Sequence, residues 1–335
     1  MSRTYIIAEA GVNHNGRLDL AYKLCDEAKE AGADCVKFQT WQTEKIVTQN
    51  AKKATYQSEN THNKGESQFD MLKKLELSYH DFELLQKHCH DIGIDFISTP
   101  DEEYSLYFLM NDLNLPLIKI GSGEVTNIPY LRKIGSYGKP VILSTGMATL
   151  AQVATAYDTL LTAGAQEVSL LHCTTNYPCP TNEVNLLAMQ TMKAAFKTKV
   201  GYSDHTMGTE ISIAAVALGA EIIEKHFTLN CNMEGPDHKA SLEPQELKYM
   251  VECIRNIEVA LGDGIKRPNV SEMKISQVVL KSIVAKIPIR EGDLLSPENL
   301  TVKRCGYGIP AAHWDLLVGT KALFDFDIDE PIKIS

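Results

Sequence analysis

Short apolar runs alternate along this chain with longer stretches of helical periodicity. The apolar runs predict strands at Tyr5–Glu9, Cys35–Gln39, Asp95–Thr99, Leu117–Ile120, Pro140–Thr145, Val168–Cys173, Val200–Ser203 and Ile222–Phe227. Between and after them, amphipathic stretches predict helices over Leu18–Ala31, Phe69–Leu77, His80–Ile92, Glu102–Leu113, Ile128–Tyr137, Leu150–Ala163, Val184–Phe196, Thr209–Leu218 and Pro244–Leu261. Strands that are apolar on both faces suit a parallel sheet covered by helices. An open doubly wound sheet meets that description, but eight regular units favour closure into a (β/α)8 TIM barrel. Two connections are long and polar: Thr40–Ser67, and Thr228–Ser241 with its Glu234-Gly235-Pro236-Asp237-His238 string. Long loops after barrel strands commonly bind or cover a substrate.

The texture changes after Gly262-Asp263-Gly264. A polar linker is expected over 265–278. Short strands and turns follow, at Ser282–Ile287, Asp293–Leu295, Leu300–Lys303, Leu316–Leu323 and Pro331–Ile334. The expected organisation is therefore a barrel over 1–264, the linker, and a small β-rich domain over 279–335. A domain of that size has little core of its own and is expected to dock on another surface.

Composition narrows the class. A formal net charge of −10 argues against nucleic-acid and anionic-membrane partners. No apolar run approaches the ~18 residues of a membrane span, and Tyr5–Ala8 is too short for a signal peptide. The eight cysteines include no C-x-x-C pair, which argues against a structural zinc cluster. Several lie in apolar runs, where buried, reduced thiols are expected. With no signal peptide or span, a cytoplasmic, reducing setting is expected.

The chemistry lies where the strands end. The first ends at Glu9, followed by Gly11, Asn13 and His14. The second carries Lys37 and Gln39, two apart and so on one face. Later strands bring Thr99, Lys119 followed by Ser122 and Glu124, Ser144, His172 followed by Tyr177, His205, and finally Glu224 and His226. Lys37 and Lys119 sit in apolar surroundings where an unpaired ammonium is costly. A bound phosphate or carboxylate, also held by Ser122, Thr99 and Ser144, would compensate them. Pairing with Glu9, Glu124 or Glu224 is the structural alternative. His205 and His226 end consecutive strands. With Glu9 or Asp237 near, two imidazoles suit a divalent metal with open positions. A satisfied core histidine is the commoner reading of each alone, and His172 and His14 are assigned no more than packing and loop-holding.

Nine strings, in order, resemble the sialic acid synthase family. They are Ala8–Gly16 (AEAGVNHNG), Val36–Thr40 (VKFQT), Phe96–Pro100 (FISTP), Lys119–Glu124 (KIGSGE), Leu143–Met147 (LSTGM), Gly201–Thr206 (GYSDHT), Ile223–Thr228 (IEKHFT), Gly235–His238 (GPDH) and Val302–Arg304 (VKR). The likeness spans nearly the whole chain, and the C-terminal part is similar to the antifreeze-like (SAF) module of that family. The resemblance implies a transferase that condenses phosphoenolpyruvate with an N-acetylated amino-sugar aldehyde to give a nonulosonate and phosphate. N-acetylmannosamine is the first expectation for the acceptor, giving N-acetylneuraminate. A 2,4-diacetamido-6-deoxy sugar, giving legionaminate or pseudaminate, is the alternative.

By the same resemblance, Lys37, Lys119, Ser122, Thr99 and Ser144 would hold phosphoenolpyruvate. His205 and His226 would bind Mn²⁺ or Mg²⁺, which polarises the aldehyde for attack by carbon 3. Glu124 would position or deprotonate the water that captures carbon 2. Glu9, Gln39, Tyr177 and Asp237 would contact sugar hydroxyls. Arg304 would reach the sugar's acyl group from the partner chain of a homodimer. Cys305, Asn176 and Asp101 depart from the family pattern, the last two near the sugar. A pyruvate aldolase on the same scaffold would release no phosphate. A carbohydrate- or ice-binding protein would have no use for lysines and histidines at strand ends.

Overall fold

The computed structural model describes residues 3–61 and 65–335. Eight parallel strands run over β1 Tyr5–Gly11, β2 Cys35–Thr40, β3 Asp95–Pro100, β4 Ile118–Ile120, β5 Val141–Ser144, β6 Val168–His172, β7 Val200–Asp204 and β8 Ile222–His226. Their order is β3-β2-β1-β8-β7-β6-β5-β4, so the first strand is hydrogen-bonded to the last. β3 and β4, at the two ends of that order, lie side by side, and the sheet is a nearly closed barrel. The expected TIM-barrel class is borne out.

Residues alternate between the two faces of each strand. The inner positions build a floor of Ile7, Cys35, Ile97, Ile142, Leu171 and Ile222, with Tyr5 and Leu117 against it. Two residues further along the same strands, the inner positions turn polar: Glu9, Lys37, Thr99, Ser144 and Glu224. The register aligns them, with Glu9 opposite Lys37 on one side and His226 on the other. The outer positions, such as Ile6, Val36, Phe38, Leu143, Leu170 and Ile223, join the helices in the main hydrophobic core. Local signals set the helix ends. Ser78 and Asp81 form a capping box at the start of Tyr79–Ile92, and Gly93 closes it in a left-handed conformation.

Some expectations are corrected. The stretch Glu102–Leu113 is an α-helix only over Glu103–Tyr107 and continues as a π-helical turn over Phe108–Asp112. The Thr40–Ser67 loop contains helices at Thr43–Ile46 and Thr55–Asn60, and its residues 62–64 lie outside those described. The polar linker holds a helix, Val270–Val279, with Asn269 capping it through the backbone N–H of Glu272. Its Val270, Met273, Ile275 and Val278 are all exposed and form no single stripe, so no helical period marked it.

The chain divides into two compact units, Met1–Asp263 and Gly264–Ser335. In the second, β9 Ser282–Ala285 and β10 Leu300–Lys303 pair antiparallel. Single bridges join Val284 to Pro331, Ile289 to Phe326 and Leu294 to Lys321. Ile283, Ile289, Leu295, Leu300, Phe326 and Ile332 form its core. The strand expected over Leu316–Leu323 overlaps a short helix, Trp314–Leu317, instead. All eight cysteines are free thiols, and no described helix is long and apolar enough to cross a membrane.

Candidate active site

Two lysines enter the barrel interior almost completely removed from water, Lys37 at 3% exposure and Lys119 at 1%. Lys37 Nζ lies 2.7 Å from Glu9 Oε2 and 3.9 Å from Glu224 Oε2, and donates to Thr99 Oγ1 at 3.2 Å. Lys119 Nζ lies 3.4 Å from Glu224 Oε1 and donates to Ser144 Oγ at 2.7 Å and to the Ile120 carbonyl at 3.1 Å. The structural alternative is thus realised with Glu9 and Glu224. Glu124 instead accepts from Asn127 Nδ2 at 2.6 Å.

Burial and charge oppose one another here. Burial would depress the Lys37 ammonium, but Glu224 and Glu9 outweigh it and raise its pKa. Burial lowers that of Lys119 more than Glu224 restores it. Burial drives the Glu9 carboxyl up to about 7 against the pull of Lys37. Burial also lifts the half-buried Asp101 to about 7, opposed by Lys37 and reinforced by Glu124 and Glu9.

A tight corner adjoins Lys119. Ser122 Oγ accepts the Gly146 N–H at 2.9 Å and lies 3.0 Å from Cys173 Sγ. A side chain at Gly146 would come within 2.3 Å of Thr175 Oγ1, which is why the turn after β5 carries glycine. Thr175 Oγ1 is itself buried without a hydrogen-bond partner.

The two imidazoles meet as expected of consecutive strands. Their ring centroids are 5.4 Å apart, and the Tyr177 ring lies 4.1 Å from His205 and 5.4 Å from His226. Tyr177 precedes a cis peptide to Pro178. His205 Nδ1 is 2.6 Å from the Thr174 carbonyl, so this nitrogen carries the proton and Nε2 keeps its lone pair. His226 Nδ1 is buried without a partner. Burial lowers His205 to about 4. Burial, then His205 and the lysines, lowers His226 well below the usual histidine range. Both rings are therefore neutral with ligating capacity unused. Among the described residues no group of three or more His, Cys, Asp or Glu side chains is arranged to hold a metal.

Gln39 Nε2 donates to Glu9 Oε1 at 3.2 Å. Asp237 is buried, and burial lifts its carboxyl to about 6. Arg304 is exposed in the second unit, just after β10. His172 Nε2 donates to the Val184 carbonyl at 2.7 Å, a wall contact. His14 Nδ1 accepts the Gly16 N–H at 3.1 Å, holding the first loop. Of two further interior groups, Ser203 received no assignment from the sequence and Glu224 was expected only as a structural partner of the lysines. Ser203 donates to Glu224 Oε1 at 3.1 Å and lies 3.4 Å from His205 Nε2. Glu224 itself bridges the two lysines. Each stands two residues before a site histidine, so strand alternation carried the signal. A further cavity of about 800 Å³ lies at the opposite end of the barrel, beside Tyr5, Asp95, Leu117 and Ser169, away from all these groups.

Such a site defines the class: a β/α-barrel enzyme with two buried lysines and a pair of histidines at its strand ends. Residues 24–266 match the NeuB family, and residues 281–335 match the SAF domain. The chain belongs to the NeuB family, as its nine strings and its C-terminal module led one to expect. It is 52% identical to the N,N'-diacetyllegionaminic acid synthase of Campylobacter jejuni, over 99% of this chain and all of that protein. Human N-acetylneuraminate-9-phosphate synthase is 38% identical over 98% of this chain and 91% of its own length. The crystal structure of N-acetylneuraminic acid synthetase from Leptospira borgpetersenii, in complex with citrate, superposes with a TM-score of 0.71. It is 34% identical and covers 83% of this chain and 93% of that one.

Proposed function

We propose that this enzyme condenses phosphoenolpyruvate with an N-acetylated amino-sugar aldehyde and water, releasing a nonulosonate and inorganic phosphate. The carrying observation is the pair of buried lysines converging on Glu224 with Thr99 and Ser144 attached. Two cations and several hydroxyl donors in a dry barrel suit a substrate that bears both a phosphate and a carboxylate. Ser122 and the Gly146 turn extend the same cradle. Carbon 3 of phosphoenolpyruvate forms the new bond to the aldehyde carbon. Water adds at carbon 2, and the tetrahedral adduct expels phosphate. Glu124, half-buried on the rim beside Asp101, positions that water. Glu9, Gln39, Tyr177 and Asp237 face the sugar hydroxyls. The acceptor is a 2,4-diacetamido-6-deoxy sugar, supported by the diacetyllegionaminic acid synthases of Campylobacter jejuni and Legionella pneumophila at 52% and 44% identity. N-acetylmannosamine, the first expectation, is the competing acceptor.

The test is phosphate release from phosphoenolpyruvate with each acceptor, products identified by mass. The diacetamido sugar is expected to give at least about tenfold higher kcat/KM than N-acetylmannosamine, the discrimination typical of one lost pocket contact. Product formed from pyruvate without phosphate release, or no release with either sugar, overturns the proposal.

His205 and His226 fit a divalent ion, Mn²⁺ or Mg²⁺. The Thr174 carbonyl fixes the tautomer of His205, and the orphaned His226 Nδ1 would gain a partner. Bound there, the ion supplies Lewis-acid polarisation of the aldehyde. The protein's part is to keep both rings neutral and aligned. Replacing both by alanine is expected to abolish Mn²⁺ binding in calorimetry, about a hundredfold or more in affinity. Binding that persists unchanged would remove this assignment.

The same proposal has a homodimer in which Arg304 completes the partner's site. The exposed apolar residues of Val270–Val279 and neighbouring Leu280 support it, because such surface calls for cover. The free thiols fit a reducing, cytoplasmic setting.

A further inference from the structure

Asp237 owes its position to residues far from it in sequence. Among the described residues its carboxylate enters no hydrogen bond or ion pair, so it is presented rather than consumed. Its loop, by contrast, is pinned at several points. Asn60 Nδ2 donates to the Pro236 carbonyl at 2.6 Å, with both groups buried. Asn15 Nδ2 donates to the Glu234 carbonyl at 3.0 Å. His238 Nε2 lies 3.1 Å from Asn15 Oδ1, and its Nδ1 lies 2.7 Å from Thr228 Oγ1. An amide oxygen only accepts, so Nε2 carries the proton and Nδ1 accepts from the threonine hydroxyl. Burial, which lowers His238 to about 4, keeps the ring neutral for both roles. Ser241 Oγ donates to the Asp237 carbonyl at 2.7 Å. A side chain at Gly235 would lie 2.6 Å from the His238 ring, so the loop can fold down only with glycine there.

The geometry points to Asn60 as a positioning residue for the acceptor sugar, acting through the Pro236 carbonyl on Asp237. This rests on the proposed function, in which Asp237 faces the acceptor. Asn60 ends the helix Thr55–Asn60, which the long connection after β2 supplies. That connection is therefore a strut as well as a surface loop: its inner end fixes how far Asp237 reaches into the mouth. Asn15, in the connection after β1, is the second strut. The phosphoenolpyruvate cradle, on Lys37, Lys119, Thr99 and Ser144, does not touch either. The Asp237 wall of the acceptor pocket thus has its own supports and can be altered without disturbing the lysines, unlike the Glu9 side, which pairs with Lys37.

Two variants test this. Asn60→Asp keeps the side-chain shape and removes the donor. Asn15→Gly retains the left-handed backbone, φ 52°, and removes the bonds to Glu234 and His238. Initial rates are measured with each substrate varied at saturating levels of the other. Each variant is expected to raise KM for the acceptor about tenfold, the effect of one lost hydrogen bond. KM for phosphoenolpyruvate and kcat should stay within about twofold, a pattern that a merely structural role would not give. Unchanged acceptor KM in both variants, or an equal rise for phosphoenolpyruvate, overturns the inference. If Asn60→Asp fails to fold, Asn15→Gly decides alone. Failure of the functional reading is distinct, because the unaltered enzyme would then release no phosphate with any acceptor.

Discussion

Lys119→Met is expected to lower kcat/KM for phosphoenolpyruvate by about a hundred- to a thousandfold, the cost of truncating one partner of a buried, hydrogen-bonded charge pair. The residue has one of the least accessible charged side chains in the barrel, and its ammonium joins Ser144, the Ile120 carbonyl and Glu224. Methionine keeps the volume and removes the charge. Glu224 would retain Lys37 only at 3.9 Å, so its negative charge would then face the incoming anion. Coupled-assay kinetics measure the loss, and a decrease of less than about tenfold would contradict the cradle. The same variant tests the dimer. Mixed with Arg304→Ala, it should regain about a quarter of the full activity. Random exchange makes half the dimers mixed, and one of two sites in each is intact. No recovery after subunit exchange would place Arg304 outside the partner's site.

The barrel was legible because most of its strands repeat a simple rule. An apolar floor residue is followed two positions later by a polar one, as in Ile7 to Glu9, Ile97 to Thr99, Ile142 to Ser144 and Ile222 to Glu224. That alternation is local and needs no knowledge of partners. The latch between Asn60 and Pro236 was not legible, because the two residues are 176 positions apart and nothing in either neighbourhood specifies the other. Helix Val270–Val279 was missed for a different reason. With no buried face, its apolar residues follow no helical stripe and its cap reads as part of a linker. The end of Glu102–Leu113 reads as α-helix because a π-helical turn adds one residue per turn without changing composition. Lys119 and Lys37 were recognisable as costly buried charges. Their division between Glu9 and Glu224 depended on geometry that spacing alone leaves open.

Lys225 belongs to the opposite face of the strand that carries Glu224 and His226. It is fully buried 3.0 Å from Asp204 and donates to the Thr206 carbonyl at 2.6 Å. Asp204 also accepts from the Thr206 N–H and hydroxyl and from Ser212 Oγ, at 2.7–2.9 Å. This network ties the ends of β7 and β8 together, and His205 and His226 each follow it by one residue. Asp204→Ala strands a buried ammonium and three donors, so it is expected to destabilise the barrel by about 3–5 kcal/mol. For a unit of this size the melting temperature should fall on the order of 6–15 °C. Lys225→Met should cost a similar amount, since it strands the carboxylate. The double variant Asp204→Leu with Lys225→Met should recover much of the loss, because neither charge then remains unpaired. Urea unfolding of the unaltered enzyme, Asp204→Leu, Lys225→Met and their double variant measures the coupling. If Asp204→Ala changes stability by less than about 1 kcal/mol, the pair is not what holds these two strand ends, and the orientation of His205 must rest on the Thr174 carbonyl instead.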